Sequence, residues 1–62
     1  MCEAIVYIER DGELEELMED VVDLRPEEGK ILLTGVFGDQ KLVSARIKEV
    51  KLLDHKIVLR ET

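Results

Sequence analysis

The chain holds one cysteine, one histidine, one serine and one tyrosine, so few kinds of chemistry are open to it. A nucleophilic thiol needs a base within hydrogen-bond reach and a third group to orient that base. Cys2 and His55 are the sole thiol and imidazole, and nothing in the sequence brings them together. Phosphate-binding and dinucleotide-binding glycine loops are absent. The inventory argues against an enzyme. Metal ligation remains. With Met1 in place, its amine, the Cys2 amide nitrogen and the Cys2 thiolate can close two fused five-membered chelate rings. If Met1 is removed, the amine and thiolate of Cys2 still close one. Nitrogen donors beside a soft thiolate suit Ni(II) or Cu(II) in a plane, or Zn(II) in a tetrahedron.

One chain supplies too few ligands to close such a site. Two chains about a two-fold axis would supply a matched set, so the metal reading carries dimerisation with it. A lone cysteine is also often a small buried apolar residue at the start of a strand. From the residues alone that packing reading stands slightly ahead. His55 beside Asp54 could serve as an accessory ligand, although a solvated turn histidine is the commoner case.

The other charged groups are weaker candidates. The carboxylates fall mainly in adjacent pairs such as Glu15-Glu16 and Glu27-Glu28, without calcium-loop spacing. Residues 1–29 carry two bases against eleven acids, net −9; residues 30–62 carry seven bases against four acids, net +3, together the −6 of the chain. An acidic chain is a poor phosphate-backbone binder. A basic strip of Lys41, Arg46, Lys48 and Lys51 could still serve RNA, as the weaker alternative. Tyr7 and Phe37 are too few for a base-stacking platform and read as core or interface. The simpler expectation is that the opposite charges pair across a sheet or a dimer.

These residues need elements to hold them. Residues 2 to 9 alternate as a strand, with Cys2, Ala4, Val6 and Ile8 on one face. Arg10-Asp11-Gly12 is a turn. Leu14, Leu17, Met18, Val21 and Val22 recur at helical spacing, yet Val21 to Leu24 also reads as strand. The expectation is a short strand or a single helical turn near 14–19, then a strand over 20–25, with a longer helix left open. Residues 25–29 form a hairpin turn. Lys30 to Phe37 is a strand with Gly35 as a bulge or a close backbone approach. Gly38-Asp39 turns the chain. Lys41 to Leu53 is a strand bent or broken near Ser44-Ala45, Asp54-His55 is the last turn, and Lys56 to Arg60 closes the fold.

Short strands joined by tight turns predict an all-β fold, a small, strongly bent antiparallel barrel of SH3-like or Sm-like type. Sixty-two residues make one domain, 1–62, with a thin stability margin. A single cysteine forbids an internal disulfide, leaving a metal or a partner subunit to add stability. It also favours a reducing compartment, and the only apolar run near Met1 is too short for a signal peptide or a membrane span. The expected location is the cytoplasm, with no membrane partner.

Met1-Cys2-Glu-Ala-Ile-Val-Tyr7 resembles the opening of the CooT family of small proteins. So do Met18-Glu-Asp-Val-Val22, Leu33-Thr-Gly-Val-Phe-Gly38 and Leu53-Asp-His-Lys-Ile-Val-Leu59. The resemblance spans nearly the whole chain. It implies a dimeric small β-barrel that binds nickel through the cysteine at position 2. It further implies a metallochaperone-like accessory role in nickel delivery to carbon monoxide dehydrogenase, with that enzyme or its maturation machinery as partner. A predicted RNA-binding label, drawn from likeness to Sm-type barrels, also attaches to the family.

Overall fold

The computed structural model describes residues 3–62 and contains five strands: β1 (Ala4–Arg10), β2 (Glu13–Glu27), β3 (Lys30–Gly35), β4 (Gln40–Lys51) and β5 (Lys56–Glu61). They pair in chain order and the sheet closes into a barrel. An up-and-down chain of five strands leaves the first and last pointing the same way. The closing β1–β5 pair is therefore parallel, from Ile5 opposite Lys56 to Glu9 opposite Arg60, while the other four pairs are antiparallel. The all-β barrel expected from the sequence is what forms. Among the described residues no helix is long and apolar enough to cross a membrane.

Local sequence explains most joints. Asp11-Gly12 and Glu28-Gly29 all have positive φ, between 47° and 80°. That is the backbone a two-residue hairpin loop needs to match strand twist. The second turn is thus tighter than residues 25–29, and Arg25, Pro26 and Glu27 stay in β2. Gly35 proves to be a close approach: a Cβ there would lie 2.9 Å from Asp39 Cγ. Its amide donates to the Asp39 carbonyl and the Val36 amide to that of Asp20, so β3 ends at Gly35 and Val36-Phe37 belongs to the turn.

The helical turn considered near 14–19 does not form; that stretch lies inside one fifteen-residue strand. Strand β2 pairs with β1 as far as Val21 and with β3 beyond it. Register slips between Val6 and Tyr7, between Ala4 and Val6, and between Val21 and Asp23 leave an extra β2 residue at each place. Such bulges bend a strand sharply. β4 also runs unbroken, and the bend expected at Ser44-Ala45 appears as a change of partner: Ser44 lies opposite Lys30 on β3, Ala45 opposite Glu61 on β5. Two long bent strands let five strands wrap a core of Val6, Ile8, Val21, Ile31, Leu33, Ala45 and Leu59.

Candidate functional site

Cys2 and Met1, the metal ligands expected from the sequence, lie outside the described residues. What the structure gives is the ground beside them. β1 begins at Ala4, and the Ile5 amide donates to the His55 carbonyl over 2.8 Å. His55 ends the β4–β5 turn with φ at 51°. Ala4 and His55 both line an open groove of about 400 Å³ between β2 and the β4–β5 hairpin. Its lining is mainly apolar, from Val21, Val22, Leu24, Val50, Leu52 and Ile57. Groove volumes of this order are typical of binding clefts. Among the described residues no three His, Cys, Asp or Glu side chains come close enough to hold a metal. A site at this end needs donors from outside that set.

The four bases of the expected strip do not act alike. Lys41 Nζ donates to the Leu17 carbonyl at 3.2 Å. Lys48 Nζ donates to Glu9 Oε2 at 2.7 Å, and Arg60 Nε donates to the other oxygen at 2.9 Å. Arg46 faces Arg60 across the β4–β5 ladder, and Lys51 faces Lys56. Lys51 also lines the groove. The strip is thus split: one base neutralised, one bound to backbone, and two set against like charges.

Glu9 accepts from two cations, so its carboxyl is held below the usual range, first by the Lys48 hydrogen bond and then by Arg60. Arg10 is shifted up by Glu61 and then Glu15. Both lie at the end of β1 opposite to Ala4. Tyr7 is half-buried on the outer face with Lys56 Nζ 4.8 Å above its ring, a cation–π contact. Phe37 is 90% exposed, so the core reading of that ring is corrected: it sits at a turn tip rather than on a strand.

Sequence reasoning missed the groove and its exposed rim, where Val22 and Val50 stand about half open to solvent and Leu52 and Leu53 almost wholly so. One signal was present. Leu52-Leu53 is an apolar pair between Lys51 and Asp54 in a turn, where polar residues normally sit.

A family model described as the CO dehydrogenase accessory protein CooT matches residues 1–60. The chain belongs to the CooT family. A crystal structure of a candidate CooT from Carboxydothermus hydrogenoformans superposes with a TM-score of 0.89 at 38% identity, covering 98% of each chain. None of the curated proteins matches. CooT membership bears out the resemblance drawn from the sequence segments, and the family's role is that of an accessory protein to CO dehydrogenase.

Proposed function

We propose that this member of the CooT family is a cytoplasmic, non-enzymatic nickel carrier for CO dehydrogenase, acting as a homodimer with Ni(II) as its cargo. Family membership across residues 1–60 carries the reading, because that span includes Met1-Cys2. The donor chemistry agrees: a thiolate with main-chain nitrogen beside it suits a soft to borderline divalent ion. One such set per chain leaves the ion half-coordinated, and a second copy completes it. Support for association comes from the apolar groove in which Ala4, two residues after the cysteine, lies. The RNA reading is weaker, since Glu9 already neutralises Lys48.

Titration with Ni(II), followed by calorimetry and by the thiolate charge-transfer band, tests this. Saturation at one metal per dimer is expected, with heat and band both lost in Cys2→Ser. A Cys2→Ser protein that takes up Ni(II) as the wild type does would sink the reading.

A further inference from the structure

The ring of Phe37 is 90% exposed on the turn between β3 and β4, yet the backbone beneath it is firmly held. The Gly35 amide donates to the Asp39 carbonyl at 2.8 Å and the Gly38 amide to the Gly35 carbonyl at 2.9 Å, closing the turn twice. The Val36 amide donates to the Asp20 carbonyl at 2.8 Å and so anchors the turn to β2. Asp20 falls in the bulge between Met18 and Val21, with φ at 56°. The ring is no part of the core. An exposed aromatic on a rigid support suits an interface anchor, because little freedom is left to lose on binding. The ground around the tip is acidic. Glu19 and Asp20 lie on the bulge, and the Asp39 carboxylate lies against Gly35. All three residues are exposed, and among the described residues none of them joins an ion pair. Lys41, the nearest base in sequence, is turned to the Leu17 carbonyl.

Resting on the carrier reading above, we propose that Phe37 anchors this protein to its client, entering an apolar pocket rimmed by Lys and Arg on CO dehydrogenase. The charges select that chemistry. A two-fold contact between copies centred on Phe37 would set Asp20 and Asp39 against their own counterparts. An RNA or an anionic lipid surface would be repelled for the same reason. A basic protein surface is attracted, and its cations meet three carboxylates with no partner among the described residues. The accessory role of the family supplies such a protein. Phe37 does not line the groove, so association through the groove does not need it. Val21 lies opposite Ala4 on one side and Gly35 on the other. The turn therefore rises from the end of the barrel where β1 begins, and docking there brings the client to that end.

Binding of the full, Ni(II)-loaded chain to immobilised nickel-free CO dehydrogenase provides the test. Phe37→Ser should raise the dissociation constant about tenfold or more. Glu19→Lys combined with Asp20→Asn should raise it about fivefold at low salt, a loss that fades as salt is added. Asparagine tolerates the positive φ of Asp20, and circular dichroism checks that each variant is folded. Ni(II) uptake by calorimetry and mass by sedimentation velocity should match the wild type in every variant. Wild-type affinity for the enzyme in Phe37→Ser would overturn the anchor and leave the carrier reading standing. A Phe37→Ser chain that loses self-association would assign the tip to a second copy and overturn the proposal too. A wild type that does not bind the enzyme, with or without Ni(II), would instead overturn the carrier reading itself.

Discussion

The two ends of the β1–β5 seam are built on opposite plans. At the Glu9–Arg10 end, both charges of the seam are doubly paired: Glu9 holds Lys48 and Arg60, and Arg10 holds Glu15 and Glu61. Those contacts tie β1 to β2, β4 and β5. At the Ala4 end the seam opens onto the groove, with Leu52 81% and Leu53 97% exposed beside it. A barrel this small cannot bury every apolar residue it carries. It closes one end with ion pairs over a packed core and leaves the surplus apolar surface at the other. The contrast separates an ion-paired end from an end of exposed apolar surface.

The sharpest way to break the closed end is Ile8→Ala. Ile8 is 1% exposed and packs under the ion-pair cluster, opposite Leu59 and Glu15. Loss of a buried branched side chain costs about 2–5 kcal/mol, comparable with the whole stability of about 5 kcal/mol expected for so short a chain. A urea titration should find the variant largely unfolded before denaturant is added.

The next effect is a pH dependence. The Glu9 carboxyl is lowered from 4.5 in the folded state by Lys48 and Arg60. Its contribution is therefore complete above the unfolded value, falls as pH drops below it, and is gone below the folded value. Arg10 is shifted upward, first by Glu61 and then by Glu15, and so adds no dependence between neutral and acid pH. The urea midpoints of the wild type and Glu9→Gln should differ at pH 7 and converge as pH falls through the carboxylate range. The Glu9 pairs are partly exposed, so the gap should narrow in high salt as well. A gap that persists in acid would assign the effect to packing instead of charge.

The closed end was far more legible in the sequence than the open one. Alternation along β1 and the Asp11-Gly12 turn are local features, set by period and by φ. The stretch 14–19 misled for a local reason too. Bulges near Leu17, Asp20 and Val22 each insert a residue, so an alternating strand acquires apolar spacings of three and four that imitate a helix. Cys2 was legible by its type alone. The groove was not, because Ala4, Asp23, Lys51 and His55 meet only when the barrel closes. Nor could the charge of each half reveal that acidic β2 and basic β4 would not pair in the sheet.

The smallest expected effect on stability is also the one that best separates the two ends. Leu52→Ala removes an apolar side chain that solvent already reaches over most of its surface. Folding of the single chain gains little from such a residue, so the unfolding free energy of the monomer, from urea titration under dilute conditions, should change by no more than about 0.5 kcal/mol. Leu52 lines the groove, however, and in the proposed dimer its side chain would leave water. Burying a leucine is worth about 1.5–3 kcal/mol, and the two-fold axis counts the loss twice. Leu52→Ala should therefore weaken association by an order of magnitude or more while its monomer melts with the wild type. Ile8→Ala should do the reverse, lowering stability without touching the groove. If Leu52→Ala instead unfolded the monomer, the turn would belong to the core and the division of the seam into two ends would fail.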